Sequence, residues 1–510
     1  MQQKIKLSII SMLMAVIIVA SVFTGAPAAT ATEQQGHYYI VNPYENVDWT
    51  TYGQYKAAHH THSTYSDGSN YRSDMLKDQY SKNFDIVAMT DHDVTTSVWD
   101  TNPNPATGNW NNIGTNNLNS ADLADLNAGT YDKNNPSPGM YSGDRTHNNG
   151  MISMGSSNEV TAQLGTDGAF GGHHINAFFA SGLSGNVGAG KTMAQVLAAI
   201  QDHGGISHIN HPGRYTGGQN NPAQSSNPVN VQRYVDLFMA YPSCVGIEII
   251  NKLDGESIND RILWDNILMK TMPSSRPVWG FSNDDSHSLS GNGHAWNVML
   301  LPELTQTATR AAMETGAFYG VSRIDRQHGI NTVNMPGAPA QTTTTATMYT
   351  GGNDNAVALR LLAQSPPPSI SNIVVNGNTI TITGADYDEI YWIADGVIIA
   401  TGASVDVSAY ESINSYVRAE LVGNTGVAYT QPFGVMPVSS ATPSVAVTQR
   451  NGNKNDLTIS IVEKLPNGQT NTVSKTFNID NNAADTYTVG SYRVYVDTKG
   501  NTQIRDCRIV

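Results

Sequence analysis

Between about residue 38 and residue 332, short apolar runs alternate with segments of helical period. Met193, Val196, Leu197 and Ile200 fall at i, i+3, i+4 and i+7, so they share one helix face. Thr192 supplies an N-cap for that helix and Gly204-Gly205 a stop. Ser73 predicts the cap of a helix over 74–82, followed by a strand over 85–89. Further apolar strands are expected over 206–209, 245–250 and 278–281, and a late helix over 309–314 is stopped by Gly316. This alternation predicts an α/β domain. The stretch 101–149, rich in Asn, Gly, Pro and Asp, breaks it and reads as an inserted loop over the mouth of the fold.

Beyond residue 347 the period shortens to two. Short strands are expected over 373–375, 379–382, 391–393, 397–399 and 416–420, with Asn376-Gly377 and Asp395-Gly396 as hairpin turns. More follow over 457–463, 472–479, 492–496 and 503–510. Pro336-Gly337-Ala338-Pro339 with Thr342 to Thr345, and then Pro437 to Pro443, are the linker signals. The expected organisation is a leader over 1–31, an α/β domain over 32–334, a linker over 335–347, a β-sandwich over 348–436, a linker over 437–445 and a last β unit over 446–510.

The polar residues carry the chemistry. Thirteen of fourteen histidines lie between His59 and His328. They sit beside carboxylates: His59-His60-Thr61-His62 with Ser66-Asp67-Gly68, then Thr90-Asp91-His92-Asp93, His211-Pro212 and Asp285-Ser286-His287. Each cluster falls at or just after the end of a predicted strand, the edge where loops of α/β folds converge on a ligand. His60 and His62 are two apart, so on extended backbone both rings face one ion. A core has no need of so many imidazoles beside acids. A polynuclear metal site does.

Taken together, "HTHSTYSDGS", "TDHD", the Glu of "SNEVT", "GHHINAF", "GGISHINHPGR", "GIEIIN" and "GFSNDDSH" resemble, in order and over roughly 55–330, the polymerase-and-histidinol-phosphatase (PHP) superfamily. The resemblance implies a distorted (β/α)7 barrel, here followed by two small all-β domains, with two or three Zn, Mn or Fe ions at the barrel mouth. It implies hydrolysis of phosphate esters by a metal-activated water. Carried onto this sequence, His60, His62, Glu159 and Asp285 would hold one ion. Glu159, His174 and His211 would hold a second, and Asp67, His92 and His287 a third. His173 stands beside His174 as an alternative ligand. Arg214 would hold the phosphate, and Arg214, Asp285 and His287 form the catalytic set. Asp91 and Asp93 flank His92, able either to orient imidazoles or to cap a helix. Glu248 with Asn251 ends a strand near the mouth and is a further candidate. His59 reads as a rim residue, His208 as a strand residue beside the site, and His203 as a partner of its own helix end. Tyr391 and Trp392 read as sandwich core rather than a sugar-stacking surface.

Composition narrows the partners. The 510-residue chain has a net charge of -14, which argues against a long nucleic acid and leaves a small phosphorylated substrate. Lys4 and Lys6 precede an apolar run from residue 7 to 23, with Ala29-Thr30-Ala31 as a cleavage site. That reads as an export signal rather than an uncleaved anchor. The mature protein is expected outside the cell, with no membrane span, and attached to wall or surface through its β domains. Cys244 and Cys507 alone make no disulfide framework. Two other readings use the same residues: an amidohydrolase-like metal hydrolase, for which Arg214 has no evident use, and a metal-binding adhesion module without catalysis.

Overall fold

The computed structural model describes residues 38–323 and 366–509, apart from 102–103, 106–116, 135–139, 142, 165–171, 220, 253–258, 411–412, 414, 424, 438–439, 452–453, 465–469, 480–484, 491 and 500–502. The expected leader, the linker at 335–347 and His328 fall outside the described residues.

The chain folds as a mixed α/β protein of several sheets, none of them closed on itself among the described residues. One sheet of five strands runs Trp279–Asn283, Cys244–Asn251, Ile206–Ile209, His173–Phe178, Asn158–Ala162. Its first three strands are parallel, and His173–Phe178 is antiparallel to both of its neighbours. A larger sheet contains Gly53–Ala58, Ile86–Val87 and Ile152–Ser153, paired in parallel in that order. Two isolated parallel bridges, Thr61 to Ser286 and His92 to Glu159, tie the sheets together on either side of the predicted ligands.

Local sequence explains many of these elements. The helix Met193–Asp202 has a full capping box, with Thr192 accepting from the Gln195 backbone, and it buries Met193, Val196, Leu197 and Ile200. Gln306–Thr315 is capped by Thr305 and ends at left-handed Gly316. The first helix differs from expectation. It spans Arg72–Ser81 with Tyr71 at its N-cap and no side-chain cap. Its buried residues are mostly polar, because Arg72 donates to the Trp99 and Thr101 carbonyls and Gln79 to Thr61 Oγ1. The described part of 101–149 is not all loop, and its Asn104–Pro105 pairs with Val94–Thr95, just after His92. It contains a helix, Ser120–Ala128, and packs against the helix Arg72–Ser81 through Lys77–Asp122, Tyr141–Asp74 and Arg145–Tyr80 contacts.

Hydrogen bonding crosses the boundary expected between the α/β domain and the sandwich. Phe318–Ser322 pairs with Gly426–Tyr429, and Tyr38–Val41 pairs with Phe433–Pro437, so these strands belong to the larger sheet. A buried ion network seals the junction. Arg418 is fully buried and donates through Nε and Nη2 to Asp265 (2.7 and 2.9 Å) and through Nη1 to Glu420 (2.7 Å). Tyr416 donates to the same Asp265 at 2.6 Å. The hairpin at Asp395-Gly396 has positive φ at both residues, as a type I′ turn requires. Trp392 is core, its indole donating to the Gly402 carbonyl. The strands after residue 440 form two three-stranded sheets around a core of their own, including Leu457, Ile459, Ile461 and Val494.

Candidate metal centre

The turns after three strands and the starts of two others bring most of the predicted side chains to one place. His60 and His62 follow Gly53–Ala58, His211 follows Ile206–Ile209, and Asp285 and His287 follow Trp279–Asn283. Glu159 and His174 lie near the starts of their own strands. The antiparallel course of His173–Phe178 sets its beginning level with the end of Ile206–Ile209, where the Asn210 N–H donates to the His174 carbonyl. Four groups of potential ligands result: His62, Asp67, His92 and His287; His60, His211 and Asp285; His60, His62 and Glu159; and His92, Glu159 and His174. Within each, the donor atoms lie within 4.8 Å of one another.

Glu159 is the hub. Its Oε1 is 3.2 Å from His60 Nε2, 3.0 Å from His174 Nδ1 and 3.7 Å from His211 Nε2. Its Oε2 is 3.2 Å from His62 Nε2 and 2.9 Å from His92 Nδ1. Asp285 Oδ1 faces His60 and His62 at 3.2 and 3.1 Å. Asp67 stands apart at the outer edge, 3.2 Å from His287 Nε2 and 3.5 Å from His92 Nε2. Close as they are, His60 Nε2, His62 Nε2, His92 Nδ1, His174 Nδ1, Glu159 Oε2 and Asp285 Oδ1 have no hydrogen-bond partner, and all are buried. Such atoms cost free energy unless something shared satisfies them. Borderline nitrogen and hard oxygen donors converging in this way fit divalent cations.

The electrostatics agree. Burial alone would lower the His60 pKa, but the carboxylates of Asp285, Glu159 and Glu248 raise it well above the usual imidazole value. His92 is likewise pushed up to about 11 against its own burial, chiefly by Glu159 and Asp67. Burial would raise the Glu159 pKa, and His92, His174 and His60 hold it well below the usual carboxylate range. The carboxylates of Asp67, Glu159, Glu248 and Asp285 thus favour positive charge at this place.

Outer partners fix the rings. His60 Nδ1 donates to Glu248 Oε1 at 2.7 Å, leaving Nε2 for an ion. Glu248 is fully buried and also accepts from the His211 backbone (2.9 Å), Asn251 (2.8 Å) and Asn283 (2.7 Å). Replacing Glu248 by glutamine keeps its size and removes its charge. Metal affinity is expected to fall about 10–100-fold, read by competition with a chromophoric chelator. Asp91 accepts from the Ser63 N–H and from the Ser63 and Ser66 hydroxyls, so it shapes the turn behind His62. Gly68 completes that turn, because a Cβ there would stand 2.7 Å from the Ser63 backbone. Asp93 accepts from the Thr161 N–H.

Of the two adjacent histidines, His174 faces Glu159, while His173 Nε2 bonds the Tyr234 hydroxyl at 3.0 Å. His59 is no rim residue. It is fully buried beneath the centre, its Nδ1 meeting Asn297 at 2.8 Å and its ring packing edge-on to Phe178 and Phe281. His208 is buried beside it, stacked on Phe281. His203 bonds the Ala199 carbonyl of its own helix. Arg214 is exposed, on the short helix Pro212–Thr216 directly after His211. Sequence reading missed two neighbours. Asn210 donates to Glu159 Oε1 at 2.7 Å, and Lys252 Nζ lies 3.2 Å from Asp285 Oδ2. The signal for Lys252 was its place directly after the strand carrying Glu248 and Asn251. His211, Asp285, Asp93 and Lys252 all have positive φ, so backbone strain gathers around the centre.

No family model and no curated protein matches the chain. Among solved structures, it aligns with a two-domain protein from Bacteroides vulgatus ATCC 8482 described as containing a predicted PHP-like metal-dependent phosphoesterase. The alignment covers 88% of this chain and 100% of that one, at 14% identity and a TM-score of 0.35.

Proposed function

We propose that this chain is a secreted, metal-dependent phosphoesterase of the PHP type that hydrolyses small phosphate mono- or diesters. The observation that carries the reading is the convergence of nine side chains, spread from His60 to His287, into four overlapping groups of ligand atoms, two of which contain Glu159. Divalent ions held there would act as Lewis acids and make water nucleophilic at neutral pH. The protein's own residues do the rest. Glu159 offers one carboxylate oxygen to each side of the centre and fixes the spacing. Glu248 and Asn210 keep His60 and Glu159 oriented before substrate arrives. Arg214, exposed beside His211, is suited to grip phosphate oxygens as a forked donor.

Arg214 and Lys252 beside the centre favour an anionic ester over the neutral amide of an amidohydrolase. The two sheets, bridged at Thr61–Ser286 and His92–Glu159, are read as walls of one distorted barrel. The leader over 1–31 supports export, and the unit over 446–510, with its own core, is assigned to surface attachment.

The test is direct. Purified protein should carry about two or three divalent ions per chain and hydrolyse p-nitrophenyl phosphate or its bis-ester. A chelator should abolish that activity, and Zn, Mn or Fe salts should restore it. Turnover that survives complete metal removal would refute the proposal.

A further inference from the structure

We propose that Lys252 fits this site to the doubly charged group of a phosphate monoester rather than the singly charged group of a diester. The inference rests on the phosphoesterase reading above. Lys252 follows the strand Cys244–Asn251, whose Glu248 orients His60. Its ammonium lies 3.2 Å from Asp285 Oδ2, while the other oxygen, Oδ1, is the one facing His60 and His62. The two oxygens of one carboxylate are thus divided between the ligand cluster and the lysine. Lys252 is held against the centre without taking the lone pairs that face it. His211 Nε2 lies 3.9 Å from the same Oδ2, so the ammonium stands on the His211 side of Asp285.

The backbone supports a selected position. Lys252 has φ 52, which side chains other than glycine rarely adopt, and both His211 and Asp285 share this strain. Its side chain is 24% exposed, so solvent reaches part of it. A phosphate monoester above its second pKa of about 6 carries an additional charge and an additional terminal oxygen compared with a diester. A point-like ammonium with three rotatable donors meets such an oxygen without demanding a plane, whereas a guanidinium does demand one. Lys252 therefore adds attraction for the feature a diester lacks.

The experiment uses the full, metal-loaded chain as wild type, Lys252→Met and Lys252→Arg. Steady-state rates are measured at about pH 8 on p-nitrophenyl phosphate, a dianion there, and on bis(p-nitrophenyl) phosphate, a monoanion. Metal content is measured on each sample. The expected result for Lys252→Met is a loss of at least about tenfold in kcat/KM on the monoester and under about threefold on the diester, with metal content unchanged. Lys252→Arg should recover only part of the monoester rate, because the charge returns without the compact geometry of the ammonium. Equal losses on both esters would mean that Lys252 merely supports Asp285, and they overturn the inference. No loss on either ester, or a wild-type preference for the diester, also overturns it. If the wild type hydrolyses neither ester, the phosphoesterase reading fails separately. Calorimetry with inorganic phosphate then decides: binding weakened at least about tenfold by Lys252→Met supports the inference, and unchanged or absent binding overturns it.

Discussion

Glu159→Gln is expected to empty the centre and to reduce phosphoester turnover by at least about a thousandfold. No other side chain touches so many of the ligands. Its two oxygens approach His60, His62, His92 and His174 within 3.2 Å, and it is fully buried. Glutamine preserves the volume but removes the charge, and it puts an amide N–H₂ where a lone pair is needed. Those imidazoles then face a donor, and cations lose the one ligand common to both sides. Metal analysis of the purified variant should show a clear deficit beside wild type. Circular dichroism should be unchanged, since Asn210 can still bond the remaining carbonyl oxygen. A variant that keeps its metal and its rate would remove Glu159 from the centre of the scheme.

Arg418→Met should destabilise the fold by about 3–5 kcal/mol, because it removes the nearest cation from the buried carboxylates of Asp265 and Glu420. The double replacement Arg418→Met with Asp265→Leu should recover part of that loss, since it removes both partners of the closest pair. Denaturant midpoints for wild type and the two variants test this. The effect should also reach the centre. Asp265 lies on the helix Asp260–Thr271, and the residue that precedes it, Asn259, donates to the Gly218 carbonyl in the loop after His211. Gly213, in the short helix before that carbonyl, leaves no room for a side chain against Asp260. A loosened helix should therefore lower metal affinity near His211, whereas the same loss of stability caused in the core around Ile459 should not.

The candidate centre was legible where candidate ligands and turn residues are neighbours in sequence. His60-Thr61-His62 with Ser66-Asp67-Gly68, and Asp285-Ser286-His287, each enclose ligands and their local geometry in a few residues. The helix Met193–Asp202 was legible because its cap, apolar face and stop agree. Elements without that agreement were lost. Asn158–Ala162 and His173–Phe178 carry ligands, so polar side chains interrupt the apolar pattern of buried strands. Asp260–Thr271 is buried on most of its surface and has no polar face to mark its period. Pro228–Ala240 did carry signals, an Asn227 cap and Pro at N1, that were passed over. Ser73 misled as a cap because burial of Arg72 starts the helix earlier. The pairing of Phe318–Ser322 with Gly426–Tyr429 leaves no local trace, since partner choice between strands is a property of the whole sheet.

That pairing has a bearing on how the molecule is made. Tyr38 meets Pro437 across the sheet, so the strand Tyr38–Val41 must wait for a partner almost four hundred residues downstream. Loop-closure entropy on that scale makes assembly a late, slow event. Until the distal strands emerge from the ribosome, Phe318–Ser322 presents an open edge able to pair with the wrong neighbour. The centre's supporting wall is therefore finished only after synthesis has passed residue 437, and a nascent chain halted earlier would hold every ligand and lack the frame that keeps them in place.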